Sequence, residues 1–267
     1  MTKNINNTSK ICGYDSDNIS VRGKNLVTEL IGKLSFTEMI LLQMTGIMPN
    51  QDQTSIVDSV LVTIMEHGIV PSAMVSRLTY YGAPESFQGA VAAGLLGVGD
   101  RFAGTASECA QLLESIVKAP PTERAQVAQY LVSDYRAKNL TIPGFGHSMH
   151  KQTDPRVNRL ISIVSSTDTS GDYVEALNLL EHEVQSQIPK NLVTNVSAAI
   201  AAALGEAGIP GEAMRGIIMT ARCAGLAGHV CEEMQNPIGE SLWRNGEQSI
   251  TQDLEIDDID KVIQRFP

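Results

Sequence analysis

"PGFGHSMHKQTDPR", Pro143–Arg156, gathers two glycines, two of the chain's five histidines, a lysine and an arginine, and closes with Asp-Pro-Arg. Glycine at 144 and 146 permits dihedrals closed to other residues and lets a flat ligand come close to backbone N–H and C=O groups. His147 is then presented at a fixed place, and histidine is the side chain that most readily gains or loses a proton near neutral pH. Arg156, on the first turn of a following helix, suits a two-pronged bond to a carboxylate. The plain alternative is a glycine-rich turn whose histidine caps a helix. A metal reading has only His147-x-x-His150 to offer, with no companion acid at ligand spacing in the loop, so no metal is expected.

The totals bound what surrounds this loop. The chain has 267 residues, 43% of them hydrophobic, enough to bury a substantial core in one large domain or a large one with a smaller attached. Thirty acidic against twenty basic residues give a formal charge of -10, which argues against a dedicated nucleic-acid or anionic-membrane binder. The polar start "MTKNINNTSK" lacks the apolar core of a secretory signal, and no run approaches the roughly 18 apolar residues of a membrane helix, so a cytoplasmic location is expected. Cys12, Cys109, Cys223 and Cys231 form no CxxC pair and are expected to be reduced thiols, mostly in the core.

Helical periodicity with start and stop punctuation recurs from about 21 to about 235, and strand signals are nearly absent, which predicts an all-α protein. Ser35 and Glu38 make a capping box before "MILLQM", and Gly46 is placed to stop that helix. Further helices are expected through "SIVDSVLVTIMEHG", from Pro71 through "SAMVSRLTYYG", and from Pro84 through "ESFQGAVAAGLLGVG", whose small residues suit a close helix pairing. Others are expected at about 105–118, 122–138, 154–166, 171–187, 192–207 and 211–234, with the opening loop at about 139–153 and an acidic, solvated tail "TQDLEIDDIDK".

With its neighbours, the loop resembles the histidine loop of the citrate synthase superfamily, roughly G-[FYI]-G-H-R-V-x-K-x-x-D-P-R. Three more segments appear in the family's order: "MEHG" with His67, "NLVTNVSAAIAAALGEAGIP", and "TARCAGLAGHVCEEMQNPIGESLWR". Between the first two, "GLLGVGDRFAGTASE" departs from the synthases' "PLHGG" element and is similar to the "GDRFGG" element of the superfamily's citryl-CoA lyase branch.

The resemblance implies an all-helical fold with a large domain (1–105 and 208–267), an inserted small CoA-binding domain (106–207), and a homodimer or higher homo-oligomer whose subunits share each active site. It implies a coenzyme A thioester as substrate, its adenine met through the backbone of Gly144, Phe145 and Gly146 beside Lys151. His147 matches the family histidine that bonds the keto oxygen of oxaloacetate, which is the hydroxyl of the citryl unit. His67 matches a second histidine on the same acid. Arg156 and Arg222 match arginines that bind substrate carboxylates, and Arg244 matches a cross-subunit arginine. His229 is read as a packing residue.

Departures from the family pattern bear on the chemistry. The catalytic carboxylate of the family's "NVD" is replaced by Ser197 in "NVS", and a serine hydroxyl needs a neighbouring base to do acid–base work. Phe102 stands where synthases have the thioester-polarising histidine, a loss worth roughly 2.7–4 kcal/mol by the precedent of single oxyanion donors. Asp100, as a replacement acid–base, and Arg101, as a charge for CoA phosphate or enolate oxygen, are the nearby candidates; the plain alternative is an ion pair anchoring a turn. Ser148 replaces an arginine and removes a positive charge. The resemblance thus implies a lyase that cleaves citryl-CoA or a related 3-hydroxyacyl-CoA to acetyl-CoA and a 2-oxo acid. A condensing enzyme and a non-catalytic CoA-thioester binder are the competing readings.

Overall fold

The computed structural model describes residues 9–146 and 153–250, with residues 101–103 described by their backbone alone. His147, Ser148, His150 and Lys151, the side chains of Arg101 and Phe102, and the acidic tail lie outside the described residues.

Helix dominates, as the periodicity predicts, but the start differs. Three short strands, β1 (Cys12–Tyr14), β2 (Ile19–Val21) and β3 (Lys24–Asn25), form an antiparallel sheet in that order, followed by a π-helical turn at Leu26–Leu30. Cys12 pairs with Val21 and Tyr14 with Ile19. Asp15 accepts backbone N–H bonds from Asp17 and Asn18 to close the first turn. Arg22 and Gly23 close the second with φ of 51° and 77°, the paired positive values of a tight hairpin. With arginine at the first of those positions, the turn carries no Asn-Gly signal, and helical periodicity assigned from residue 21 begins too early.

The helices are α1 (Phe36–Thr45), α2 (Gln51–Met65), α3 (Pro71–Gly82), α4 (Phe87–Leu96), α5 (Asp100–Val117), α6 (Arg124–Ala137), α7 (Pro155–Val164), α8 (Asp172–Gln187), α9 (Val196–Glu206), α10 (Gly211–Gln235) and α11 (Gly239–Ser249). The capping box is present at α1: Ser35 Oγ accepts from the Glu38 N–H, the Glu38 carboxylate accepts from the Ser35 N–H, and Gly46 ends the helix at φ 75°. Asn50 and Gln53 repeat the device at α2. Pro84 does not open α4, which starts three residues later at Phe87, and α11 has no counterpart among the expected helices.

The chain forms two compact units, one from the residues up to Glu66 with Val98–Cys223, the other from His67–Gly97 with the chain from Ala224 onward. The first has its core around α9, where Ala198–Gly205 are all buried. Helix α9 packs against α2, α5, α7 and α8, and its alanines let these neighbours approach. At Gly205 a β-carbon would meet the Tyr173 ring at 2.3 Å, so only glycine fits.

In the second unit α3 and α4 pair closely: a β-carbon at Gly94 would lie 2.9 Å from both the Ser72 carbonyl oxygen and Ser76 Cβ. The small residues of α4 thus serve a helix pairing within the chain. Arg77, only 1% exposed, donates to Glu233 (2.8 Å), to Nδ1 of His229 (3.0 Å) and to Glu232. His229 is therefore a buried hydrogen-bonding partner as well as a packing residue. The other oxygen of Glu233 accepts from the N–H groups of Ile238 and Gly239 and caps α11. The cysteine expectation is corrected: Cys109 alone is buried, Cys223 is half-buried, and Cys12 and Cys231 are exposed. The two exposed thiols fall on the edge strand β1 and the outer face of α10.

Candidate functional site

The glycine arm of the loop is held by backbone geometry. Gly144 and Gly146 adopt φ of 90° and 89°, and at Gly144 a β-carbon would lie 2.8 Å from both Ala198 Cβ and Cys109 Sγ. The arm pairs antiparallel with the segment entering α9, Phe145 opposite Thr194. The Gly146 N–H donates to the Val193 carbonyl (2.7 Å) and the Asn195 N–H to the Gly144 carbonyl (2.9 Å). Asn195 caps α9, its side-chain oxygen accepting from the Ser197 N–H at 2.9 Å, while its amide nitrogen donates to the Gly146 carbonyl at 2.9 Å. Gly144, Phe145, Gly146 and Ser197 are thereby brought together, with Ser197 half-buried on the first turn of α9. Burial pushes the neighbouring Cys109 thiol up to about 12, so it stays protonated.

Arg156 follows the loop at the start of α7. Asp154, 1% exposed, caps that helix and takes Arg156 in a two-pronged bond, 2.9 Å to Nε and 2.8 Å to Nη2. The Asp-Pro-Arg run is thus one device: cap, first helical residue and oriented guanidinium. Beside it lies a cavity of about 120 Å³ lined in part by Asp154, Asn158, Glu181, Asn191 and Thr194. A larger one, about 550 Å³, lies by the N-terminal hairpin among Lys10, Cys12, Arg22 and Thr45, and none of the sequence-derived candidates lines it.

Arg222, on α10, is 4% exposed. Its Nη1 donates to the Met65 carbonyl at the end of α2 (2.7 Å), and its Nη2 is buried with no acceptor among the described residues. Burial lowers its pKa, with Glu66 pulling the other way. A guanidinium remains charged under such a shift, so a buried donor is held without a partner, the state a carboxylate ligand would relieve.

The remaining candidates fall on other segments of the chain. His67 follows α2 in an exposed turn ahead of Gly68, which has φ 75°. Asp100, the first residue of α5, pairs with Arg215 at 2.5 Å and its side chain is 76% exposed. Its partner among the described residues is thus on α10. Arg244, on α11, bonds Glu240 and lies 5.2 Å over the Trp243 ring. Asn195, Asp154 and Arg215 were missed as position-setting groups; of these, an asparagine directly before the apolar run "VSAAIAAALG" carried a legible cap signal.

Among the described residues no cluster of three or more His, Cys, Asp or Glu is placed to hold a metal ion, and no helix is long and apolar enough to cross a membrane. A model of the citrate synthase C-terminal domain matches residues 8–245. The chain belongs to the citrate synthase family. It is similar to the citryl-CoA lyase from Hydrogenobacter thermophilus, with 29% identity and a TM-score of 0.77 over 86% of this chain and 87% of that one. It shares its fold with the Methanosaeta concilii ATP citrate lyase solved in complex with (3S)-citryl-CoA, at 21% identity and TM-score 0.76 over 95% of this chain and 42% of that one. It is 27% identical over 207 residues to the Citrate/2-methylcitrate synthase of Bacillus subtilis, covering 76% of this chain. The chain spans 54% of the length of that curated relative.

Proposed function

We propose that this citrate synthase family chain is a carbon–carbon lyase that cleaves citryl-CoA, or a related 3-hydroxyacyl-CoA, to acetyl-CoA and oxaloacetate or a related 2-oxo acid. The observation that carries the reading is the buried Nη2 of Arg222, which has no acceptor among the described residues and is a ready donor for a substrate carboxylate in a family that handles such acids. The likeness to a citryl-CoA lyase over most of both chains supports the direction.

In the proposed reaction His147 accepts the proton of the citryl hydroxyl as that oxygen becomes a carbonyl. The carbon–carbon bond breaks, and its electron pair passes to the thioester as an enolate. Arg222 and Arg156 hold the carboxylates of the departing acid, Arg156 already aimed by Asp154, and His67 bonds the same acid. The enolate carbon then takes a proton from water, from Ser197 or from Asp100 in its protonated form, the groups that replace the family carboxylate, and the proton held on His147 returns to that donor. Ser197 sits at the N-terminus of α9, where unpaired N–H groups and the helix dipole favour developing negative charge. Gly144, Phe145, Gly146 and Lys151 are assigned to the CoA adenine, Arg101 to its phosphate or the enolate oxygen, and Arg244 to the site of a second subunit in a homodimer. The segment 106–207 is assigned as the CoA-binding domain, and the protein to the cytoplasm.

The test is incubation of the purified protein with citryl-CoA, following acetyl-CoA and oxaloacetate, with His147→Ala as control. Release of both products by the wild type and not by the variant is expected. Binding of the thioester without release would leave a binder and overturn the reading.

A further inference from the structure

Asn195 does more than cap α9. The backbone ladder between the glycine arm and the α9 lead-in consists of the Gly146 N–H to Val193 bond and the Asn195 N–H to Gly144 bond. The next acceptor along the arm, the Gly146 carbonyl, belongs to the peptide that leads into His147. The Asn195 side chain reaches across and donates to it at 2.9 Å. The other end of the same carboxamide accepts from the Ser197 N–H at 2.9 Å. The amide can face only one way, because a flip would set its NH2 against the Ser197 N–H and its oxygen against the Gly146 carbonyl.

We propose that Asn195 is a positioning residue that fixes the spacing between the chain entering His147 and the α9 turn that carries Ser197. This deepens the lyase reading and rests on it for its catalytic consequence. A cap alone does not require asparagine: aspartate and serine cap helices about as well. Neither supplies a donor at one end and an acceptor at the other across this gap, because ionised aspartate only accepts and a serine hydroxyl is a single short group. Ser197 stands where the family's carboxylate does, and a weaker group tolerates misplacement less, since geometry then supplies more of the rate.

The substitutions Asn195→Asp and Asn195→Ser separate the two ends. Both retain the cap, so their thermal unfolding midpoints are expected to fall less than that of Asn195→Ala. Both lose the staple, so amide hydrogen exchange in the peptide 143–156 is expected to quicken, and kcat for citryl-CoA cleavage to fall about tenfold, the size of one lost hydrogen bond. Asn195→Ala is expected to lower the midpoint as well. Wild-type exchange and wild-type kcat in the Asp and Ser variants would reduce Asn195 to a cap and overturn the proposal. A loosened loop with unchanged kcat would overturn its positioning role. If the wild type cleaves no citryl-CoA, the lyase reading fails on its own, and exchange alone decides the staple: quickened supports it, unchanged overturns it.

Discussion

At the scale of single residues, two buried groups beside half-buried and exposed candidates invite test: Arg222 and Cys109. Arg222 keeps one nitrogen without an acceptor among the described residues behind 96% burial, where an unpaired polar donor costs about 1–3 kcal/mol. Replacing it with methionine, of similar length and apolar, is therefore expected to leave the thermal midpoint unchanged or raise it even as function is lost. Differential scanning calorimetry checks this, and a marked drop would mean that the guanidinium is structural. Cys109, with its thiol pushed up to about 12, is expected to resist alkylation in the native protein at pH 8 and to react only after unfolding, as peptide mass mapping would show. The close backbone approach at Gly144 and Gly146 was legible because glycine's residue type announces it. Asp154 and Asn195 were not, because they act by orienting neighbours and nothing in their type distinguishes that from ordinary turn and cap duty.

At the scale of elements, the helix ends carry the pH dependence and the tight contacts. Glu38 is held below its ordinary value of 4.5, first by the Ser35 N–H and then by the Ser35 hydroxyl. Its contribution is therefore complete above 4.5 and is lost as pH falls through the lower folded-state value. Glu38→Gln retains a capping-box partner that does not titrate, and in acid melts its midpoint is expected to fall less than that of the wild type between pH 6 and pH 3. Gly144→Ala would press a β-carbon to 2.8 Å from two neighbours at a φ of 90°, and a loss of about 1–3 kcal/mol in denaturant unfolding is expected from overpacking, with backbone strain added. Most helices were legible because they carry caps and one apolar face. The N-terminal hairpin was hidden because strands of two or three residues show no alternation, and α11 because "GESLWRNGEQS" is mostly exposed and draws its N-terminal cap from Glu233 on another helix.

At the scale of the whole molecule, the family was legible because four ordered segments span most of the chain, and the match to residues 8–245 accords with that reach. Local patterns do not report which distant segments pack together, and the first compact unit joins the N-terminal helices to everything from Val98 to Cys223. In the proposed reading the chain lacks the family carboxylate at Ser197 and the thioester-polarising histidine at Phe102, so a base for the hydroxyl and a firm hold on the departing acid carry more of the rate. The central claim is that this hold is centred on Arg222. The measurement that tests it is kcat/KM for oxaloacetate release from citryl-CoA by the wild type and by Arg222→Met, assayed side by side. Truncating one partner of a buried charged pair costs roughly 2–5 kcal/mol, so a loss on the order of a hundredfold or more is predicted. Equal rates for the two proteins, or no release by the wild type, would contradict it.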